Sequence, residues 1–249
     1  LHSRRAGRDP RELRERDAVT SMFADLHIHS CLSPCGHEWM TPGNIAGMAK
    51  IKELDAIAIA DHNCAKNLRA ADAVCRAYGV VLVPAMEITT REEAHLLGYF
   101  ETVEQAEGMS DWLYERLPDI MNVPEIFGAQ QILNEDDVEI GTVDKLLLSA
   151  VDASIEELVE EIHRRGGAAV PAHINRGSNG VLGALGFLPA APFDALEVAR
   201  SLPCPMDLSG WRVTHSSDAH QLENISERDF YLHTEEISAR AVLRWLKGE

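Results

Sequence analysis

Long hydrophobic runs, a signal-like start and paired cysteines are all missing from the sequence. No apolar run approaches the roughly 18 residues that span a bilayer, which excludes a transmembrane helix of ordinary length. The basic N-terminal stretch has no apolar core behind it, so it does not resemble a secretory signal. The five cysteines are odd in number and lack framework spacing, which excludes a disulfide scaffold. We therefore expect a cytoplasmic protein without a membrane partner.

Positive charge is scarce, because 23 Lys and Arg residues stand against 40 Asp and Glu residues, for a formal net charge of -17. A broad basic surface for nucleic acid or anionic lipid is therefore absent. The shortage is local, since residues 91–161 contain 19 acids and three bases, whereas residues 1–90 contain 11 of each. We do not expect a long nucleic acid as a partner, but a short oligonucleotide or a small phosphorylated substrate remains compatible with this distribution.

Aromatic residues are also few, at 6%, but 45% of the 249 residues are hydrophobic, which excludes intrinsic disorder. From Met22 onward, short apolar runs alternate with longer amphipathic ones, and this alternation predicts an α/β domain with a parallel core. We expect residues 21–249 to form one domain after a mobile lead-in over residues 1–20. The acidic segment around 101–150 has no convincing buried strand, so we predict an insertion packed outside the core.

The predicted elements carry recognisable end signals. Thr41 and Pro42 open the first helix, Gly79 ends the second, and Ser154 with Glu157 forms a capping box at the third. The four predicted helices cover residues 42–52, 65–78, 154–166 and 236–247. The eight candidate strands cover residues 23–29, 55–60, 80–86, 95–100, 167–173, 194–199, 211–217 and 230–234.

Two histidines, His27 and His29, are separated by one residue at the end of a predicted strand. Because side chains alternate across a strand, both imidazoles and Asp25 should project from one face, with Leu26 and Ile28 on the other. Adjacent imidazoles suit a metal ion better than a hydrophobic core. An isolated H-x-H is common by chance, so this pair alone is weak support for a metal site.

Comparable residues stand at or beside the ends of other predicted strands. They are Asp61 with His62, Glu87, His95, His173, and Asp218 with His220. The ends of successive strands converge at the mouth of a barrel or the edge of a parallel sheet. Chance explains one such placement easily and the whole set poorly. The sequence therefore predicts one shared site of imidazoles and carboxylates.

Six blocks of the sequence resemble the successive motifs of the polymerase and histidinol phosphatase (PHP) family of metal-dependent phosphoesterases. They are DLHIHS (25–30), ADHN (60–63), MEIT (86–89), HLLGYF (95–100), PAHINR (171–176) and SSDAH (216–220). The resemblance covers about residues 22–234, with the motifs in the correct order. It implies an α/β fold of the distorted (β/α)7 TIM-like barrel type, with two or three divalent metal ions at its C-terminal mouth.

The resemblance also implies which residues bind the metals. One metal would be held by His27, His29, Glu87 and Asp218, a second by Glu87, His95 and His173, and a third by His62 and His220. A mixture of imidazole and carboxylate ligands suits zinc, manganese or iron, whereas an all-carboxylate site would indicate magnesium or calcium.

One further ligand of the third metal is implied in the loop after H-x-H, which spans residues 30–42. Its length departs from the commonest family pattern, in which an aspartate or histidine stands five residues before the helix-opening proline. Counting back from Pro42 gives His37, which we favour. Cys35 stays open as the rival, because a thiolate also binds zinc.

These ligands predict hydrolysis of a small phosphomonoester or nucleotide by attack of metal-activated hydroxide. Clustered metals lower the pKa of bound water and clamp the attacking and leaving oxygens. A PHP-type nuclease acting on short oligonucleotides is the second hypothesis, because the family includes proofreading modules. A non-enzymatic, metal-binding regulatory module is the third, and the nearly complete ligand set argues against it.

Three further charged residues are candidates for supporting roles. Arg176, three residues after His173, is the candidate for binding the substrate phosphate through its planar guanidinium, with a surface salt bridge as the alternative. Asp25 and Asp61 precede implied ligands and would orient imidazoles or water. Ordinary solvation at a strand end is the alternative for both carboxylates.

Overall fold

The structure is a computed structural model that describes residues 19–249. The predicted lead-in falls outside the described residues except for its last two positions, and Thr20 already belongs to the domain because it pairs with Thr234. In chain order the elements are β1 (Thr20–Ile28), α1 (Pro42–Ile51), β2 (Ala56–Ile59), α2 (Leu68–Tyr78), β3 (Val81–Thr89), β4 (His95–Tyr99), α3 (Val103–Tyr114), α4 (Pro124–Phe127), β5 (Gln131–Leu133), β6 (Glu139–Thr142), α5 (Ile155–Arg164), β7 (Ala168–Pro171), α6 (Val181–Leu185), β8 (Leu196–Glu197), β9 (Val213–Thr214), β10 (Tyr231–Thr234) and α7 (Ala239–Lys247).

Six strands form a curled, half-barrel sheet in the order β10-β1-β2-β3-β4-β7. Strands β1, β2 and β3 are parallel, whereas β10, β4 and β7 each pair antiparallel with their neighbour. Helices α1, α2, α3 and α5 contribute to one buried cluster and α7 to the other. Burial of both faces explains why these strands are apolar without strict alternation.

Strands β8 and β9 are the point at which the sheet departs from the predicted seven-stranded barrel. The predicted strands 194–199 and 211–217 shrink to two residues each, which pair with one another in a separate parallel ladder. Backbone bonds place this ladder between β7 and β1, because Ile174 donates to Glu197 and His29 donates to Ala219, both at 2.9 Å. Across residues 19–249 the result is a mixed α/β fold with a half-barrel sheet rather than a continuous barrel.

The acidic segment contributes more to the core than we predicted. Helix α3 begins at a capping box in which the Thr102 hydroxyl accepts a bond from the Gln105 backbone N–H and the Gln105 side-chain oxygen accepts one from the Thr102 backbone N–H. Strands β5 and β6 then form a separate hairpin. The apolar face of α3 is buried through Val103, Ala106, Met109 and Leu113. The segment is therefore a packed helix followed by the short helix α4 and a hairpin, and the acids of α3 lie on the face away from its buried residues.

The other predicted helices are confirmed with small shifts. Thr41 caps α1, the Ser154–Glu157 capping box opens α5, and Gly79 ends α2 in the left-handed conformation. None of the helices in residues 19–249 combines the length and the apolarity that crossing a membrane requires. The five cysteines are free thiols.

Candidate metal centre

The first predicted metal group is assembled at the ends of three chain segments. His27 lies near the end of β1 and His29 directly after it, Glu87 lies in β3, and Asp218 follows β9. The two Nε2 atoms are 3.2 Å apart. The Oδ1 atom of Asp218 lies 3.4 Å from His27 Nε2 and 3.1 Å from His29 Nε2, and Glu87 Oε2 lies 3.5 and 3.2 Å from the same atoms. The four side chains thus present ligand atoms to one point.

An irregularity in β1 makes this arrangement possible. The register between β1 and β2 shifts between Asp25 and Ile28, and Leu26 and Ile28 pack into different core clusters. The prediction that these two residues share a face is therefore wrong, and Asp25 does not share the direction of the imidazoles. Irregularities of this kind re-aim side chains next to functional sites.

Glu87 lies at the centre of the candidate site. Its Oε1 atom is 2.7 Å from His95 Nδ1 and 3.0 Å from His173 Nε2, while Oε2 is 3.4 Å from His62 Nδ1. Burial alone would raise the pKa of Glu87, but the imidazoles of His95 and His27 outweigh burial and hold it well below its usual range. The carboxylate is therefore ionised, and it would contribute negative charge to the first and second predicted metal groups.

The third group contains Cys35 and not His37. One ligand atom each from His29, Cys35, His62 and His220 lies within 4.8 Å of the others. His37 is exposed, and its Nδ1 accepts a bond from the backbone of Trp39, so it points away from this group. Our preference for His37 is not matched by this geometry, because the turn after Ser33 directs the side chain two positions earlier into the site.

Unpaired buried atoms show that the donor set fits cations. His62 Nδ1, His173 Nδ1 and Asp218 Oδ1 are buried and have no hydrogen-bond partner among residues 19–249. Burial lowers the pKa of His29, but the neighbouring carboxylates of Asp218 and Glu87 outweigh this effect and raise it to about 9. The carboxylates thus attract a positive charge to the imidazoles, and a divalent ion would satisfy the same lone pairs.

Asp61 and Ser33 orient His29 from the side opposite the metal group. The Ser33 hydroxyl donates to Asp61 Oδ1 at 2.7 Å and accepts from His29 Nδ1 at 2.9 Å. Asp61 also accepts bonds from the backbone and hydroxyl of Ser30, at 2.7 and 2.6 Å. The predicted supporting role of Asp61 therefore has a geometric basis, because Nδ1 of His29 is occupied and Nε2 is left for a cation.

Asp25 supports the backbone instead of an imidazole ring. Its two carboxylate oxygens accept bonds from the backbone N–H groups of Ser217 at 3.0 Å and Ser226 at 2.8 Å. Burial raises the pKa of Asp25 against these bonds. Since Ser217 precedes Asp218, Asp25 fixes the loop that carries a predicted ligand.

Glu197 is a site residue that sequence reasoning missed. It lies in β8, is 2% exposed, and places Oε1 3.0 Å from both His27 Nδ1 and the backbone nitrogen of His173. The run DALEVA (194–199) has the composition of an ordinary buried strand. A carboxylate between Leu196 and Val198 was the available signal, because an acid in an otherwise buried strand needs a partner.

Arg176 lies at the mouth of a cavity of about 530 Å³ that opens on the candidate metal groups. Its guanidinium pairs with Asp218 Oδ2, and 38% of its side chain is exposed. The predicted phosphate-binding residue is thus beside the site, held by one of the predicted ligands. The cavity is lined by Cys35, His62, Glu87, Thr89, Glu93, His95, Leu148, Ala150, His173, Arg176, Ser178, Asn179, Asp218 and His220.

Comparison by sequence gives a partial match. No family model matches the chain. An uncharacterised protein of Methanocaldococcus jannaschii is 33% identical over 97 residues, which are 36% of this chain and 56% of that protein.

Comparison by structure gives matches over nearly the whole chain. Endonuclease Q, a lesion-specific endonuclease of Pyrococcus furiosus, superposes with a TM-score of 0.70 at 17% identity, over 92% of this chain and 56% of that one. A proposed metal-dependent phosphoesterase of Bifidobacterium adolescentis has a TM-score of 0.57 at 20% identity, covering 85% of this chain and 94% of that one. An amidohydrolase of Chromobacterium violaceum has a TM-score of 0.57 at 19% identity, covering 91% and 96%.

The chain spans little more than half the length of Endonuclease Q and of the M. jannaschii protein. It spans almost the full length of the other two neighbours. The chain therefore shares its fold with an endonuclease, a proposed metal-dependent phosphoesterase and an amidohydrolase.

Proposed function

We propose that this protein is a metal-dependent phosphoesterase that hydrolyses a small phosphomonoester or nucleotide. The observation that carries the proposal is the convergence of three overlapping ligand groups on one open cavity. The groups are His29, Cys35, His62 and His220; His27, His29, Glu87 and Asp218; and His62, Glu87 and His95. In the last group His62 stands where His173 was predicted, although His173 Nε2 lies 3.0 Å from Glu87 Oε1. Bound zinc, manganese or iron ions would supply the charge that activates water and neutralises phosphoryl oxygens. A cavity of about 530 Å³ is of the size that small-molecule ligands occupy.

Different residues of the site bind the metal ions, bind the substrate and orient the ligands. Glu87 and Asp218 provide the negative charge that retains cations at the ends of β1 and β3. Arg176 is placed by its ion pair with Asp218 to grip the phosphoryl oxygens of a bound ester. Ser33 and Asp61 hold the ring of His29 so that its Nε2 atom faces the centre of the site.

Metal analysis joined to a substrate screen tests the proposal. Purified protein should contain two or three divalent ions per chain and hydrolyse at least one sugar phosphate or nucleotide. Chelation should abolish the activity, and re-addition of metal should restore it. Alanine at both His27 and His29 should reduce turnover to that of the stripped protein. Full activity after complete metal removal would refute the proposal.

An endonuclease is the second candidate function. Endonuclease Q has been solved with a 27-mer duplex that carries an abasic lesion at its active site, so our expectation against long nucleic acid is not supported. A second depression of about 550 Å³ adjoins the metal cavity, and Ala150 lines both. Arg91, Arg116 and Lys145, which are the only bases in residues 91–161, all line it. Phosphates beyond the scissile bond could contact them.

The paired state of these bases limits how strongly they attract an anion. Arg91 pairs with Asp152 at 3.0 Å and Lys145 with Asp119 at 3.0 Å. The two acids are 83% and 95% exposed, so solvent screens both pairs and a phosphate can replace either acid.

Kinetics with two substrates separate the candidates. Glutamine at Arg91, Arg116 and Lys145 together should raise the KM for an oligonucleotide and leave that for p-nitrophenyl phosphate unchanged if the enzyme is an endonuclease. Arg240→Gln removes a charge that pairs with exposed Glu101 instead, and it serves as the control. No hydrolysis of any oligonucleotide by the wild-type protein would exclude the second candidate.

A further inference from the structure

Glu197 is a buried carboxylate with an unusual set of partners. Its exposure is 2%, and within residues 19–249 it forms no ion pair with a lysine or arginine. Its Oε1 and Oε2 atoms lie 3.0 and 3.2 Å from His27 Nδ1, and Oε1 also lies 3.0 Å from the backbone nitrogen of His173. A buried charge is costly unless it is paired and hydrogen-bonded, so both contacts are needed to retain it.

The contact with His27 determines which ring nitrogen is free. A carboxylate only accepts hydrogen bonds, so Nδ1 of His27 must carry the proton that it shares with Glu197. The unprotonated Nε2 then faces Asp218 at 3.4 Å and Glu87 at 3.5 Å, inside the first metal group. His29 is oriented differently, because its Nδ1 meets the neutral hydroxyl of Ser33.

The contact with His173 secures the second predicted metal group. His173 has a φ of 29°, in the left-handed region that non-glycine residues seldom adopt. Its backbone N–H is directed to Glu197, while its Nε2 atom approaches Glu87 Oε1 at 3.0 Å. Glu197 therefore stabilises a strained backbone that aims the ring at Glu87.

We infer that Glu197 is a positioning residue that holds His27 of β1 and His173, just after β7, together, and so couples two metal positions across the gap in the barrel. This inference rests on the proposed function in requiring that the site bind metal. Glu197 comes from β8, the short strand that fills the gap between β7 and β1. Carboxylates that accept from a metal-binding imidazole fix its ring and raise its basicity.

Two substitutions at Glu197 separate the charge from the hydrogen bonds. In Glu197→Ala both contacts are lost, so zinc affinity, measured by competition with a chromogenic chelator, should fall roughly 10–100-fold. In Glu197→Gln the amide oxygen can still accept from the His173 backbone, so we expect a smaller loss. The cobalt(II)-loaded protein provides an independent readout, because the ring N–H proton of His27 gives a shifted proton resonance that should vanish in Glu197→Ala.

Glu161→Gln is the matched control, because Glu161 is also buried but pairs with Arg164 and Arg165 on α5. It should change neither zinc affinity nor the cobalt spectrum. Wild-type zinc affinity in a folded Glu197→Ala protein would overturn the inference. If the alanine variant does not fold, wild-type zinc affinity in Glu197→Gln would overturn it instead. A wild-type protein that binds metal but cleaves no phosphoester refutes the proposed function alone. A wild-type protein that binds no metal refutes both.

Discussion

Cys35 and His37 are two positions apart, yet only the thiol faces His62 and His220. Burial, with Glu87 adding to it, raises the pKa of the Cys35 thiol to about 12, so the thiolate would form there only against a bound cation. A thiolate is a strong zinc ligand, whereas a serine hydroxyl is not. We expect Cys35→Ser to lose or weaken one metal per chain.

His37→Ala is the comparison for that variant, since in the described part of the chain the His37 imidazole accepts a hydrogen bond only from the backbone of Trp39. Its metal content, measured after gel filtration, should equal that of the wild type. Loss of metal in His37→Ala with retention in Cys35→Ser would show that the loop rearranges and that the sequence-based preference for His37 was correct.

Arg176 supports a prediction about binding. Its pairing with Asp218 leaves 38% of the side chain exposed at the cavity mouth, where a phosphoryl group would arrive. Charge-assisted hydrogen bonds contribute about 1.5–3 kcal/mol, so Arg176→Gln should raise the KM for a phosphoester roughly 10–100-fold. Metal content should be unchanged. An unaltered KM would assign Arg176 to the ion pair alone.

The sequence predicts side-chain proximity well where a histidine or an acid directly follows an apolar strand, because such a residue has few roles besides that of a site residue. The histidines and acids that follow apolar runs, such as His27, Glu87 and Asp218, lie in one cluster as predicted. Glu197 was missed because its role depends on β8 reaching His27, a contact across 170 positions that no local pattern reveals. The position of Asp25 was misjudged because strict alternation stops at the irregularity in β1.

Helix α3 is acidic on one face and buried on the other, a division that a count of charges along the segment does not reveal. Its acids include Glu104 and Glu107, which pair with Arg69 on α2, while Met109 is completely buried on the opposite face. Truncating a buried methionine to alanine costs about 2–5 kcal/mol. We expect Met109→Ala to lower the free energy of unfolding by that amount in urea titrations.

Ile126→Ala provides the surface comparison from the same acidic segment. Ile126 lies in α4 with 72% of its surface exposed, so its removal should change the free energy of unfolding by less than about 0.5 kcal/mol. If both substitutions change the free energy of unfolding by equally small amounts, α3 lies outside the core, as the prediction of an external insertion states.

The short strands β8 and β9 mark the limit of strand prediction. Their sequences are apolar enough to suggest strands of six or seven residues, and the structure pairs two residues in each. Between β8 and β9 the chain forms turns, one of which is held by hydrogen bonds from the Ser209 backbone and hydroxyl to the Asp207 carboxylate. Strand length depends on the partner backbone, which local composition does not specify.

At the scale of the whole molecule, the net charge of -17 describes the surface and not the site. Surface charges are screened beyond about 8 Å at physiological salt. The cavity contains carboxylates that face imidazoles and Arg176, and bound divalent ions would set the potential there. The overall acidity therefore does not decide between a small ester and a nucleic acid, and the three bases beside the cavity must be tested directly.

Binding of metal should also stabilise the fold as a whole, because the candidate ligands come from β1, β3, β4 and the loops after β1, β2, β7 and β9. These segments converge only in the folded chain. An ion at 100 times its dissociation constant adds about 2.7 kcal/mol to the free energy of unfolding. We therefore expect zinc or manganese to raise the midpoint of thermal unfolding and a chelator to lower it. The increase should be absent in the double variant with alanine at His27 and His29 and intact in Glu161→Gln, whose partners lie on α5. A midpoint that does not respond to metal in the wild-type protein would mean that these segments converge without binding a cation, and would leave the cluster as a buried hydrogen-bond network.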